Sequence, residues 1–263
     1  MPAGSERDRH SMGRLDSTVC VITGAASGIA RGAAAAFVRE GATVGLLDRN
    51  ADGLAEVERE LGPTSFALPC DVTDEASVEA AFAEVKRRHG RLDVLYTCAA
   101  VQLIGQDAPV HELDVEVWDR TYAVNARGVF LTCKYGARLM IEAGNGGSII
   151  NAGSPTGLTL CGAEWSAYSS SKAAVMGLTR VMAGGLAQHG IRVNGIVPGS
   201  ITTPLTQSLH DDLVVGPRIA SMHPIGRLGK PEDMAGIAVF LASAESAFAT
   251  GSHFFVDGGI SVR

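Results

Sequence analysis

The stretch TVCVITGAASGIA, Thr18–Ala30, decides the fold. Its first six residues are apolar or β-branched and read as a short buried strand. Gly24 and Gly28 follow, and the Ala-rich run 28–40 reads as a helix. A strand that turns on glycines into a helix gathers free backbone N–H groups and the positive end of a helix dipole at one point, which suits a pyrophosphate. The glycines let the chain turn tightly and let a ligand approach the backbone. Gly24, Ser27, Gly28 and Ile29 are therefore the expected phosphate-side residues. Glycines alone also mark ordinary strand–helix turns, and it is the order strand, turn, helix that gives the pattern weight.

Outward from this unit the alternation continues. Strands are predicted at 42–48, 64–70, 92–98, 146–153, 191–197 and 252–257. Helices are predicted at 51–61, 74–89, 166–189 and 230–243, with one or two more within 114–143. Strands alternating with helices imply parallel βαβ units with right-handed crossovers. The expected fold is α/β: a single-domain, Rossmann-like, doubly wound sheet of about seven parallel strands with helices on both faces. Residues 1–14 read as a flexible tail, and 15–263 as one dinucleotide-binding and catalytic domain. The long irregular stretch 199–226 reads as a substrate lid, because loops of that length inside a compact domain are usually functional.

Composition narrows the function classes. The chain has 263 residues, 46% hydrophobic and 19% charged, with a net charge of -6. That is too apolar and too weakly charged for a disordered chain. A sequence pI near 5.6 gives no basic footprint for nucleic acid. The 32 glycines are well above the usual ~7% and fit tight turns and close helix packing. The five cysteines (Cys20, Cys70, Cys98, Cys133 and Cys161) are odd in number and never spaced C-x-x-C. They read as buried thiols of a reducing cytosol, with no disulfide framework and no metal site. The polar N-terminus lacks the apolar run of a signal peptide, and no stretch of about 18 apolar residues occurs. A cytoplasmic location without membrane contact is expected.

Asp48 ends the second predicted strand, about 20 residues after Gly28, where a dinucleotide fold carries an acidic residue. Its carboxylate would accept hydrogen bonds from the adenosine ribose and repel a 2′-phosphate, so NAD is favoured over NADP. Arg49 pulls the other way, since a guanidinium there can pair with that phosphate. Asp48 could equally serve as an N-cap for the next helix.

At this point the chain resembles a short-chain dehydrogenase/reductase of the group with a T-G-x-x-x-G-x-G cofactor turn, from about residue 15 to 260. Ala30 replaces the third glycine. The resemblance implies that Asp71 and Val72 contact adenine. It also implies that Cys98, Ala99 and Ala100 line the cofactor where the family usually has Asn-Ala-Gly. Within PGSITT (198–203), Pro198, Gly199, Ile201 and Thr203 would dock the nicotinamide.

Tyr168 and Lys172 stand four residues apart on a predicted helix and so share a face. Oxidising an alcohol requires a base for the hydroxyl proton as a hydride leaves. A free phenol, with a pKa of about 10, is too weakly acidic to serve near neutrality. A neighbouring ammonium stabilises the phenolate, so Lys172 is expected to lower the Tyr168 pKa. The family resemblance adds that Lys172 holds the nicotinamide ribose and Ser154 the reacting oxygen. It also makes Asn125 the support of a water in a proton relay. Read alone, Asn125 is a mid-helix polar residue.

Three segments are expected to face the substrate: 100–111, 155–165 and 201–225. Apolar candidates are Val101, Leu103, Ile104, Leu205, Leu209, Leu213, Val214 and Val215, giving a mostly apolar pocket. Cys161, Glu164, Trp165, His111 and His210 are polar or aromatic candidates. The leading expectation is NAD(H)-dependent interconversion of a small-molecule secondary alcohol and its ketone. The alternatives are an NADPH-dependent 3-oxoacyl-carrier-protein reductase and, from another class, a non-catalytic NAD-binding sensor or scaffold. The resemblance also implies a homo-oligomer, tetramer or dimer, built from the helices around 114–143 and 166–189.

Overall fold

The computed structural model describes residues 13–160 and 162–262. The expected tail therefore lies almost wholly outside the described residues, as does Cys161. Seven parallel strands form one sheet in the order β3-β2-β1-β4-β5-β6-β7. They are β1 (Val19–Thr23), β2 (Thr43–Asp48), β3 (Ser65–Pro69), β4 (Val94–Thr97), β5 (Gly147–Ala152), β6 (Ile191–Pro198) and β7 (His253–Val256). The expected doubly wound sheet is what is found. Its order reverses between β1 and β4, and in such sheets the crevice beyond the carboxyl ends of those strands is where ligands bind.

Side chains alternate along each strand, so the sheet buries two cores. Cys20, Ile22, Val94 and Tyr96 face one layer with α1 (Gly28–Arg39), α2 (Ala51–Leu61) and α9 (Pro231–Ala242). Val19, Val21, Leu95 and Ile149 face the other, with α3 (Glu75–His89), α5 (Val129–Ala143) and α6 (Ser166–Leu186). A Cβ on Gly32 would lie 3.0 Å from Cβ of Pro231, the first residue of α9, which shows how closely α1 and α9 pack. Ala30, at the position of the missing third glycine, is 2% exposed within that core. Its methyl is simply absorbed by the α1 packing.

The region 114–143 holds α4 (Val115–Tyr122) and α5, joined without a break by a π-helical stretch at Ala123–Gly128. The stretch 199–226 is not irregular throughout. It contains α7 (Gln207–His210) and α8 (Val215–Met222), two helices too short to show an apolar period in the sequence.

Candidate active site

The glycine turn opens α1 as expected. Gly24 has φ +75° and Gly28 φ +57°. A Cβ on Gly24 would come 2.9 Å from the Ala99 Cα, and one on Gly28 would come 3.2 Å from the Thr203 side chain. Side chains at either position would therefore fill the crevice floor. Ser27 is the N-cap of α1, and its side chain makes no capping hydrogen bond. The first N–H groups of the helix are thus offered towards a cleft of about 200 Å³, lined among others by Gly24, Ser27, Gly28, Ile29, Asp48 and Asp71.

At the far end of this cleft the Asp48 carboxylate accepts the N–H of Ala26 at 3.2 Å and of Asn50 at 2.9 Å. Asp48 is not the cap of α2. Asn50 fills that place, its side chain accepting the Gly53 N–H at 3.1 Å. Arg49, exposed, and Val72 line the same cleft. Asp71 accepts from the N–H and hydroxyl of Thr73, which holds its carboxyl below the usual range, with the Arg49 charge helping.

Cys98, Ala99 and Ala100 form the opposite wall. Thr23, at the end of β1, accepts the N–H groups of both Cys98 and Ala99 at 3.1 Å. That clamp fixes the wall without the family's usual asparagine and glycine. Burial pushes the Cys98 thiol up to about 11, so it is no ready nucleophile.

A second, larger cleft of about 540 Å³ joins the first along Ile29, Cys98, Ala100, Thr203 and Leu205. Ser154, Tyr168 and Lys172 all line it, as do Pro198, Gly199 and Ile201 of the expected docking turn. The turn is pinned by a bridge between Ile201 and Gly229 and by the Thr206 hydroxyl, which donates to the Ile201 carbonyl at 2.6 Å. Ser154 begins a short 3-10 turn, and its hydroxyl lies 3.0 Å from that of Thr156.

The electrostatics of the Tyr–Lys pair differ from the expectation. Lys172 is 2% exposed, and its amine donates to the Ala152 carbonyl at 2.9 Å. It stands over the Tyr168 ring, 5.9 Å from the centroid. Burial brings the amine down to about 8 and pushes the phenol up to about 12, with a hydrogen bond to Ser154 opposing the rise. The ammonium thus faces the ring and a carbonyl, while the phenol oxygen meets Ser154. Within the protein alone, desolvation outweighs the effect of the lysine.

Asn125 lies in the π-helical stretch and is fully buried. Its side chain accepts the Val101 N–H at 2.8 Å and donates to the Val101 carbonyl at 2.9 Å and the Ser171 hydroxyl at 3.1 Å. It joins the loop after β4 to the helix that carries Tyr168 and Lys172. The side chain is therefore committed to holding the site together.

Asp107 was not anticipated from the sequence. Trp165, the N-cap residue of α6, offers no capping group. Asp107 reaches in from the loop after β4 and accepts the N–H groups of Ala167 at 3.1 Å and Tyr168 at 2.9 Å. No short-range pattern marks this cap, because it comes from a distant loop. A second unanticipated device ties the helical stretch 207–222 and His223 to the turn at 198–203. The Ser200 hydroxyl lies 2.8 Å from His210 Nε2, and the Ser200 N–H donates to His223 Nε2 at 3.1 Å.

On the substrate side, Glu164, Trp165, Leu205 and Leu209 line the larger cleft and Val101 the smaller. Leu103, Ile104, His111 and His210 line neither, and Leu213 and Val214 are largely exposed. The apolar candidates at the lid tip thus point to solvent. The wall is completed instead by Ile219 and Met222 of α8 and by Ile260.

Known proteins share both the sequence and the fold of this chain. The sequence profile of the family described as enoyl-(acyl carrier protein) reductase matches residues 24–261. D-threitol dehydrogenase of Mycolicibacterium smegmatis is 38% identical, over 95% of this chain and 95% of that protein. Cis-4-hydroxycyclohexanecarboxylate dehydrogenase of Sinomonas cyclohexanicum is 41% identical, over 92% of this chain and 95% of that protein. The crystal structure of a short-chain type dehydrogenase/reductase from Mycobacterium marinum superposes with a TM-score of 0.88 at 34% identity, covering 95% of this chain and 97% of that one.

Proposed function

The chain belongs to the short-chain dehydrogenase/reductase family of oxidoreductases acting on CH–OH groups, and on that premise we propose that it interconverts a secondary alcohol and its ketone with NAD(H). The observation that carries the reading is convergence: Ser154, Tyr168 and Lys172 line one cleft that is continuous with the glycine-floored crevice.

The residues fit a dinucleotide. Gly24, Ser27, Gly28 and Ile29 would receive the pyrophosphate, and Asp71 and Val72 the adenine. Asp48 would take the ribose, while Cys98, Ala99, Ala100, Pro198, Gly199, Ile201 and Thr203 would hold the nicotinamide end. The nicotinamide, when bound, supplies or accepts the hydride. In the oxidative direction the phenolate form of Tyr168, which the Lys172 ammonium together with the positive charge of an oxidised nicotinamide would favour, would take the hydroxyl proton and become the phenol, while Ser154 would hold the reacting oxygen beside it. Lys172 places positive charge beneath the ring and carries the ribose. Asn125 and Asp107 keep the helix of Tyr168 and Lys172 in register with the crevice wall. Both side-chain N–H groups of Asn125 are already taken within the protein, so a water relay there would run through its carbonyl oxygens.

NADPH-dependent 3-oxoacyl-carrier-protein reduction is the second reading. It is favoured by Arg49 at the cleft rim and by the carrier-protein description of the matching family. Asp48 beside Arg49 argues for NAD. On the family reading the chain would form a homo-oligomer built on α5 and α6, where Phe130 and Val181 are exposed. Among the described residues no helix is long and apolar enough to cross a membrane. The direct test is a spectrophotometric screen of secondary alcohols with NAD against NADP, with Tyr168→Phe as control. Tyr168-dependent reduction of NAD supports the reading, and cofactor binding without turnover of any alcohol or ketone overturns it.

A further inference from the structure

The larger cleft carries a statement about the substrate, resting on the dehydrogenase reading above. Among the described residues its charged lining consists of Lys172 and Glu164, with no arginine or histidine. Lys172 is already bound to the Ala152 carbonyl and belongs to the reacting end. Glu164 is exposed. A carboxylate or phosphate in this cleft would leave water without a countercharge and would meet the field of Glu164.

The neutral polar lining is largely spoken for as well. The Thr156 hydroxyl is paired with Ser154, that of Ser200 with His210, and that of Thr206 with the Ile201 carbonyl. Among the described residues, Gln102 and the indole N–H of Trp165 are lining side chains that make no hydrogen bond of their own. A polyol would bring several hydroxyls and find few open partners. Around these groups stand Leu160, Trp165, Leu205, Leu209, Ile219 and Met222. The part of this cleft that a bound nicotinamide would leave open, walled by these side chains, suits a hydrocarbon ring better than a short polar chain.

We propose that the substrate is an uncharged secondary alcohol or ketone on a hydrocarbon frame of alicyclic size or larger, recognised through its reacting oxygen and its apolar body. The lid supplies the apolar wall, so specificity resides in Leu205, Leu209, Ile219 and Met222 more than in hydrogen bonds. This separates the chain from what the names of its threitol and hydroxycyclohexanecarboxylate relatives describe.

The test is kcat/KM with NAD for three probes: 4-methylcyclohexanol, cis-4-hydroxycyclohexanecarboxylate, which carries a carboxylate in place of the methyl, and D-threitol. The expected preference for 4-methylcyclohexanol over each of the others is at least ~10-fold, equivalent to about 1.4 kcal/mol. Leu209→Arg supplies the missing cation and should shift the ratio of carboxylate to methyl probe at least ~10-fold towards the carboxylate. Because this is a ratio within one variant, partial misfolding leaves it unaffected. Equal or better turnover of the carboxylate or of threitol by the unaltered protein overturns the proposal and leaves the dehydrogenase reading standing. Failure to oxidise any of the three, or any alcohol in a wider panel, while NAD still binds overturns both.

Discussion

Asp107 Oδ2 accepts the main-chain N–H of Tyr168 at 2.9 Å, from a loop 61 residues earlier in the chain. The first turn of α6 has no cap of its own, so this carboxylate, which also takes the Ala167 N–H, fixes where the phenol enters the cleft. Replacing a cap by alanine typically costs about 0.5–2 kcal/mol. Asp107→Ala should lose stability in that range, and kcat should fall ~10- to 100-fold through misplacement of Tyr168. KM for the cofactor should change little. Asp107→Asn, which keeps an acceptor, should recover part of both. Denaturant melts paired with steady-state kinetics check this. An Asp107→Ala enzyme that is folded and has unaltered kcat would show that the contact positions nothing.

Lys172 is stabilising at one end of the pH scale only. Its folded pKa, about 8, lies below the ordinary 10.5, because burial penalises the charged amine. The folded state therefore sheds this proton more readily than the unfolded chain. The group's stability contribution is fully present above about 10.5 and is lost as pH falls towards about 8. The whole interval is worth roughly 3 kcal/mol. Lys172→Met should abolish turnover yet match or exceed the unaltered protein in stability at pH 7, and its advantage should shrink by pH 10. Denaturation midpoints at both pH values decide it. An advantage that grows with pH would contradict the sign.

On the NAD(H) reading proposed above, the charge of Asp48 sets cofactor choice, while its oxygens also hold the Ala26 and Asn50 N–H groups. Asp48→Asn retains an acceptor and removes the charge, leaving Arg49 free to meet a 2′-phosphate. The ratio of kcat/KM with NAD to that with NADP should fall by ~10-fold or more, about 1.4 kcal/mol. A ratio unchanged in the variant would locate the discrimination elsewhere.

Much of the fold was legible because strand and helix periods alternate cleanly, and because glycines and charges punctuate them. Gly90, with φ +70°, stops α3 just past the end of the predicted helix 74–89, and Pro231 opens α9 within one residue of the predicted start at 230. The glycine turn and the placement of Tyr168 and Lys172 on one helix were legible because each is local: one turn, or one helix face. What was missed depends on distance. Asp107 caps a helix from another loop, and Thr23 clamps Cys98 and Ala99 across the sheet. The π-helical stretch at Ala123–Gly128 breaks no residue pattern, so only its hydrogen-bond register reveals it. The lid helices are too short for periodicity, and for that reason Leu213 and Val214 were expected at the substrate and lie in solvent. The direction of the Tyr168 shift was missed because spacing on a helix gives proximity but says nothing of burial.

The central claim is that Tyr168 moves the proton. The measurement is kcat/KM for oxidation of one turned-over secondary alcohol by Tyr168→Phe and by the unaltered enzyme, with NAD affinity measured on the same samples. The account predicts a loss of at least ~10²- to 10⁴-fold in turnover, the usual weight of a general acid–base, with NAD affinity within a few fold. Retained turnover in the phenylalanine variant would contradict it.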